Sequence, residues 1–192
     1  IEEGPLAGTM RGYYADGATG NNPLYEAKYQ PYEDDVNRVI GNVTLDYSPT
    51  GWFNILYTFG GDFYSDQRTE ITPGPTGIEG ENIISTTGFL EETRINNRDL
   101  TSTLNLTFNR DFTDTLSARL RIGNDIFERS FNNVVSRGED FATPDFYHLS
   151  NVRSISLTQD IQKRRLVGVY GDLMLDYNDI LFLNLTGRND WS

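Results

Sequence analysis

His148 is the single histidine in this chain of 192 residues, and cysteine is absent. A zinc site built from several histidines, a thiolate metal site and a Ser-His-Asp triad with a spare base are therefore excluded within it. Paired carboxylates occur at Asp34-Asp35, Glu91-Glu92 and Glu139-Asp140, but none has the spaced oxygen ligands of a calcium-binding loop. We predict no catalytic residue, no metal site and no cofactor, and we predict that the chain is not an enzyme.

One segment combines aromatic and amide side chains that suit ligand contact. It reads Phe146-Tyr147-His148-Leu149-Ser150-Asn151 and lies in a long polar connection. Aromatic faces and Asn amides suit sugar rings and peptide backbones, and the alternative role for such a segment is packing of the loop itself. The candidate contact residues for a ligand, or for a partner that covers it, are Phe146, Tyr147, His148 and Asn151.

Apolar and polar side chains alternate with a period of two along six segments, as in β-strands with one apolar face. In the second segment Phe53, Ile55 and Tyr57 share one face, opposite Asn54 and Thr58. The chain begins with a predicted loop over residues 1–36. The predicted strands lie near residues 37–47, 52–66, 92–109, 115–128, 163–177 and 180–190.

The connections between these strands alternate between short and long. Ser48 to Gly51, Arg110 to Asp114 and Asn178-Asp179 are tight and polar, whereas Ser65 to Leu90 and Glu128 to Gln162 are long and rich in Gly, Asn, Asp and Pro. The long connections would therefore share one end of the sheet. Short periplasmic turns with long extracellular loops are typical of bacterial outer-membrane barrels.

Strand length and the positions of aromatic residues also favour a membrane location. The alternating segments run for about ten or more residues, longer than the ~5–6 of soluble sheets and enough for a tilted membrane span. Beside the short turns, where an interfacial girdle would lie, are Tyr47, Trp52, Phe108, Phe112 and Tyr177. The predicted fold class is all-β, an antiparallel up-and-down transmembrane β-barrel of which the chain supplies about six strands.

Charge and hydropathy argue against a nucleic-acid-binding protein and against a protein that crosses the membrane with helices. The net charge of −12 and pI near 4.4 disfavour a nucleic-acid surface, which needs clustered Lys and Arg. No stretch approaches the ~18 consecutive apolar residues of a membrane-spanning helix. The first residues show no signal peptide and the last follow an alternating run without a terminal turn, so we expect a parent protein that extends beyond both ends.

Four phrases, taken in order along the chain, resemble one family. They are Asn22-Pro23-Leu24-Tyr25 followed by residues 37–43 (NRVIGNV), then residues 146–151 (FYHLSN), 165–172 (RLVGVYGD) and 187–192 (GRNDWS). With these phrases the chain resembles the SusC/RagA family of TonB-linked (TonB-dependent) outer-membrane transporters. The resemblance implies a C-terminal segment of a plugged barrel of about 22 strands. The chain departs from the family in coverage, because it contains no TonB-contacting box, no plug domain and no N-terminal carboxypeptidase-regulatory-like domain.

The resemblance further implies a location in the outer membrane of a Gram-negative bacterium and active import of an oligosaccharide or peptide nutrient. The implied partners are outer-membrane lipid, a SusD-like surface lipoprotein that acts as a lid, the TonB complex acting through the missing N-terminal region, and the substrate; no nucleic acid is implied. In that setting Phe146, Tyr147, His148 and Asn151 would contact the substrate or the lid.

Three residues at the outer end of the last strand are weaker candidates for substrate or lid contact. They are Arg188, Asp190 and Trp191. A structural role is favoured for them, with Trp191 anchoring the membrane interface and the two charges pairing across the wall.

Two other classes of protein share the strand pattern. A passive outer-membrane porin has the same wall and lacks a plug domain upstream. A soluble extracellular β-sandwich that binds glycans would have a complete fold within these residues and would tolerate charge on both faces.

Overall fold

The computed structural model describes residues 13–15, 18–20, 27, 30–74 and 87–192. The Asn22-Pro23-Leu24-Tyr25 phrase lies outside the described residues, as does most of the loop predicted over residues 1–36. The strands are β1 (Tyr13–Ala15), β2 (Ala18–Gly20), β3 (Tyr32–Thr50), β4 (Phe53–Thr72), β5 (Phe89–Thr113), β6 (Leu116–Phe141), β7 (Val152–Tyr177) and β8 (Leu181–Trp191), and a short 3-10 helix, η1, covers Leu149–Asn151. Among the described residues, no helix is both long enough and apolar enough to cross a membrane.

Each long strand pairs with its neighbours in sequence, so that one sheet has the order β3-β4-β5-β6-β7-β8. In the β7–β8 pair, Val167 lies opposite Trp191 and Tyr177 lies opposite Leu181 in an antiparallel register. β1 and β2 form a separate antiparallel ladder. These findings confirm the predicted all-β, antiparallel, up-and-down strand order. A β-sandwich needs two large sheets packed face to face, and the described residues form one six-stranded sheet and a two-stranded ladder, so that alternative is wrong.

The strands extend further than the hydropathy pattern predicts. β6 ends at Phe141 and β7 begins at Val152, so the connection predicted over Glu128–Gln162 is a loop only over residues 142–151. The other predicted loops are also shortened by β3, β4 and β5, which reach Tyr32, Thr72 and Phe89. In the extensions of β3 to β6 polar side chains occupy both faces, so the alternation fades before the hydrogen-bonded ladder ends. In β7, by contrast, Ile155, Leu157 and Ile161 keep the apolar parity of Val167, so the alternation continues and the start predicted near residue 163 is too late.

The short turn between β7 and β8 is built from two residues with left-handed backbone. Asn178 and Asp179 each have a φ of 56°, a conformation that Asn and Asp adopt more readily than most residues. The Ile180 N–H donates to the Tyr177 carbonyl at 3.1 Å, which closes the turn. Two successive left-handed residues match the twist of a hairpin, and the predicted tight turn at these positions is confirmed.

The chain divides into two compact units, of which the first comprises Ile1–Val36, Ser65–Ile95 and Asn133–Asp160. Leu90 in this unit is 2 % exposed and is the only buried hydrophobic residue in the described part of the chain. Polar and cation–π contacts also stabilise this unit. Arg137 lies 3.7 Å from the centre of the Phe89 ring and its Nε donates to Glu139 Oε1 at 2.8 Å.

The second unit comprises Asn37–Tyr64, Asn96–Asn132 and Ile161–Ser192, and one face of its sheet is apolar and uncovered. Val43 is 73 % exposed and Leu181 is 64 % exposed. The exposed large side chains on this apolar face include Val39, Val43, Leu45, Tyr47, Phe59, Phe63, Leu120, Ile122, Val169, Leu181, Leu183 and Leu185. A face of this composition is costly to leave in water, because each fully buried aliphatic side chain contributes about 1.5–3 kcal/mol relative to exposure.

Candidate functional site

The opposite face of the second unit carries hydrogen bonds between polar side chains of adjacent strands. Between β3 and β4, Arg38 Nε donates to Asp62 Oδ1 at 2.9 Å, and Thr44 Oγ1 lies 3.1 Å from Thr58 Oγ1. All four residues have the polar parity of their strands, so these polar side chains share one face of the sheet, as the alternation predicts. We call this surface the polar face.

A tyrosine connects two strands that are not neighbours on the polar face. The Tyr170 hydroxyl, on β7, donates to Asn105 Oδ1, on β5, at 2.8 Å and so reaches across β6. The residue beneath the ring is Gly123, where a Cβ atom would overlap the tyrosine ring. The close approach therefore requires glycine at this position of β6.

Arg188 is the centre of a charged group beside this tyrosine. Its Nη1 donates to Asp125 Oδ2 at 2.8 Å, its Nε donates to Asp190 Oδ1 at 2.9 Å, and its guanidinium carbon lies 5.4 Å from the centre of the Tyr170 ring. The cation therefore links β8 to β6 through Asp125, while Asp190 of its own strand holds the guanidinium in place. Charge-assisted hydrogen bonds of this kind hold side chains in a defined geometry and present fixed donors and acceptors.

Trp191 is not part of that group. It lies on the apolar parity of β8, opposite Val167, and is 52 % exposed. The structure thus brings Arg188 and Asp190 into direct contact and places Trp191 on the other face.

The second set of predicted residues lies in the loop of residues 142–151, in the first unit. Asn151 is 7 % exposed, and its Nδ2 donates to the carbonyls of Thr143 at 2.8 Å and Phe146 at 2.6 Å. Its Oδ1 accepts from the Thr143 N–H at 3.0 Å. One amide side chain thus satisfies three backbone groups inside the loop, which assigns Asn151 a role in shaping the loop.

The aromatic residues of the loop form two ring pairs. Phe146 and His148 stack with centroids 5.9 Å apart and planes inclined by 7°, and Phe146 is 53 % exposed. His148 Nδ1 accepts from the Ser150 N–H at 3.1 Å and so caps η1. Tyr147 packs edge-on against Phe141 at 5.2 Å and is half-buried. The stacked Phe146–His148 pair is therefore the accessible aromatic surface of this loop.

Two of the three carboxylate pairs, Glu91-Glu92 and Glu139-Asp140, form ion pairs in the first unit. Glu139 and Glu91 both accept from Arg137, and these hydrogen bonds raise the pKa of its guanidinium above its ordinary value. Asp140 pairs with Arg153 at 3.2 Å. Across the described residues, no group of three or more acidic or histidine side chains could hold a metal ion.

Sequence reasoning missed the Tyr170–Asn105 bond and the role of Asp125. The first depends on the alignment of β5, β6 and β7 and the second on that of β6, β7 and β8, and hydropathy does not report how strands are aligned. One available signal was Gly123, a glycine on the polar parity of β6 within an otherwise alternating run. A glycine in a strand interior often marks the close approach of another group.

The chain was compared with known proteins. No protein-family model and no curated protein matches it. A structure of the RagAB peptide transporter matches with a TM-score of 0.78 and 13 % identity, covering 96 % of this chain and 20 % of that chain. Structures of the RagAB peptide importer in the 'open-open' and 'closed-closed' states match with TM-scores of 0.77 and 0.76, identities of 14 % and 11 %, and coverage of 93 % of this chain and 20 % of those chains.

This likeness shows the fold, which is that of a β-barrel segment. The chain spans 20 % of the length of the chains that it matches.

Substitution of Gly123 tests the contact across β6. We expect Gly123→Ala to lower the free energy of unfolding by about 1–3 kcal/mol, because the added methyl group displaces the Tyr170 ring and breaks its bond to Asn105. Urea unfolding of the full-length protein, folded in detergent micelles, measures the change.

The matched control is Gly41→Ala, in β3, where a Cβ atom meets nothing within 4 Å. We expect that variant to stay within about 0.5 kcal/mol of the original protein. Equal stability of the two alanine variants would contradict the close packing of Tyr170 on Gly123.

Proposed function

We propose that this chain forms part of the wall of an outer-membrane transporter of the SusC/RagA type in a Gram-negative bacterium. The transporter takes up a peptide or oligosaccharide nutrient, is covered by a SusD-like surface lipoprotein, and receives energy from the TonB complex through a region outside this chain. The observation that carries this proposal is the uncovered apolar face of the second unit, opposite a hydrogen-bonded polar face.

A lipid bilayer is the environment that suits a sheet with one apolar face and one polar face. In a bilayer the apolar face contacts acyl chains and the polar face lines a wet interior, as in outer-membrane barrels. A sheet is acceptable there because its backbone N–H and C=O groups are paired between strands, which lipid requires.

The stretch of apolar alternation next to each short turn defines the proposed spanning segments. They are residues 39–47, 53–63, 100–108, 116–126, 167–177 and 181–191. Each has the roughly 9–11 residues that a tilted strand needs to cross a bilayer. β6 and β7 have 26 residues each, so both continue well past the proposed span, in the direction away from the short turns.

A peptide is the favoured substrate class. The matched structures are described as a peptide transporter and a peptide importer. Backbone amides are also good partners for the fixed carboxylates and guanidinium of the Arg188 group, which offers acceptors and donors close together. We assign substrate or lid contact to Phe146, Tyr147 and His148, while Arg188 and Asp190 contribute to the interior surface.

A passive porin is the second candidate, because it would have the same two faces. Energy coupling separates the two functions. Uptake of a labelled peptide by cells that carry the full-length protein should stop when the proton gradient is abolished, whereas diffusion through a porin would continue. Removal of the gene should abolish that uptake, and persistence of uptake without the gradient would favour the porin.

Substitutions in one strand test which face contacts lipid. Leu104→Arg should destabilise the full-length barrel in bilayers by about 2–4 kcal/mol more than Thr103→Arg, because the first places a charge in acyl chains and the second in a wet interior. Urea unfolding from phosphatidylcholine vesicles measures both variants. Equal losses would contradict the face assignment.

The loop aromatics can be tested by uptake. Phe146→Ala combined with His148→Ala should reduce peptide uptake at low substrate concentration by about fivefold, the loss expected for removing one contact worth ~1 kcal/mol. Phe112→Ala is the control, since Phe112 is also an exposed aromatic residue, at 63 %, but lies beside a short turn. Unchanged uptake by the double variant, with normal surface amounts of protein, would remove these residues from the contact surface.

A further inference from the structure

Cationic side chains surround a cleft of about 310 Å³ on β5, β6 and β7 of the second unit. Arg98 comes from β5, and Lys163 and Arg165 come from β7. We call these three residues the cationic cluster. Glu128, from β6, is the one carboxylate that lines the cleft.

The cluster lies on the same face as the apolar side chains. Arg98 shares the parity of Leu100 on β5, and Arg165 shares that of Val167 on β7. Arg98 Nη2 lies 3.4 Å from Glu128 Oε1, and Arg165 Nε lies 3.8 Å from Glu128 Oε2, which confirms that these three side chains share one face. The neighbouring Arg129 pairs with Asp99 on the polar face.

The side chains around the cleft carry more positive than negative charge, although the net charge of the chain is −12. Glu128 is shared by two arginines, with side-chain exposures of 50 % for Arg98 and 67 % for Arg165. In the part of the chain that the structure describes, no ion pair reaches Lys163. The three cations of the cluster therefore face one carboxylate.

The position of the cluster relates it to the bilayer. It begins directly beyond Leu100 on β5 and Val167 on β7, on the side away from the short turns, and on β7 it interrupts an apolar parity that resumes at Ile161, which is 57 % exposed. Two residues along a strand correspond to about 7 Å, roughly the depth of the headgroup layer next to the acyl chains. In the proposed orientation, in which short turns are periplasmic, this end meets the outer leaflet.

We propose that the cationic cluster binds the phosphate groups of an anionic glycolipid headgroup in the outer leaflet. Arginine pairs with phosphate through two parallel hydrogen bonds, and lysine adds a compact point charge. Basic clusters beside membrane-spanning segments attract anionic headgroups in the same way. Glu128 holds Arg98 and Arg165 on either side of the cleft and also weakens the site by its own charge. This inference rests on the proposed membrane position.

Retention of a defined lipid tests the site. The full-length protein is reconstituted in phosphatidylcholine nanodiscs that contain a small fraction of bisphosphorylated lipid A, repurified in detergent, and analysed for bound lipid A by native mass spectrometry. Arg98→Gln with Arg165→Gln should weaken retention by about fivefold for each arginine removed. Glu128→Gln should strengthen it, because it removes the only competing carboxylate while keeping the side-chain shape.

The control is Arg119→Gln with Arg121→Gln, which removes two arginines from the polar parity of β6 and should leave retention unchanged. Dephosphorylated lipid A should be retained weakly and equally by all four proteins. If the Arg98/Arg165 variant retains as much lipid A as the control, or Glu128→Gln does not increase retention, the lipid site is overturned while the membrane position stands. Failure of the original protein to enter nanodiscs would overturn both.

Discussion

Hydrogen bonding between strands that are neighbours in sequence is the constraint on which the rest of this structure depends. In the described residues it joins β3 through β8 into one sheet, in which each strand pairs with the next and no helix or second large sheet takes part. Because side chains alternate between faces along each strand, the pairing also gathers apolar residues on one face and polar residues on the other. A slip of one residue would exchange the two sets, so the register, such as Tyr177 opposite Leu181, determines which face is apolar.

The polar face adds contacts that ladder pairing alone does not provide. Tyr170 spans from β7 to β5, and Arg188 connects β6 with β8, so both contacts depend on the relative alignment of several strands. The first contact requires glycine at position 123, since a side chain there would occupy the space of the tyrosine ring. The result is a polar surface whose donors and acceptors have fixed positions.

Much of the fold could be predicted from sequence because lipid and water impose opposite demands on alternate residues. The contrast between Phe53 and Asn54, repeated along β4, was sufficient to place a strand and assign its faces. The outer half of β6 lacks that contrast, so the end of this strand is not predicted. Ile155, Leu157 and Ile161 continue the contrast along β7, and the prediction of a long loop overlooks them, so the loop of residues 142–151 is much shorter than predicted. The sequence also indicated an aromatic loop at Phe146, but the inward position of Asn151 depends on a backbone path that composition does not specify.

The strand order has a consequence for how such a wall can change over evolutionary time. Since each strand of the six-stranded sheet pairs its backbone only with the strands just before and just after it in sequence, a hairpin such as β7–β8 carries its own turn, its own apolar-face residues and its own polar-face residues. Duplication or loss of a hairpin would alter the circumference of a barrel by two strands while leaving the pairing of the remaining ones intact. The hydrogen bond from Tyr170 to Asn105 limits that freedom, because β5, β6 and β7 must all be kept for it to form.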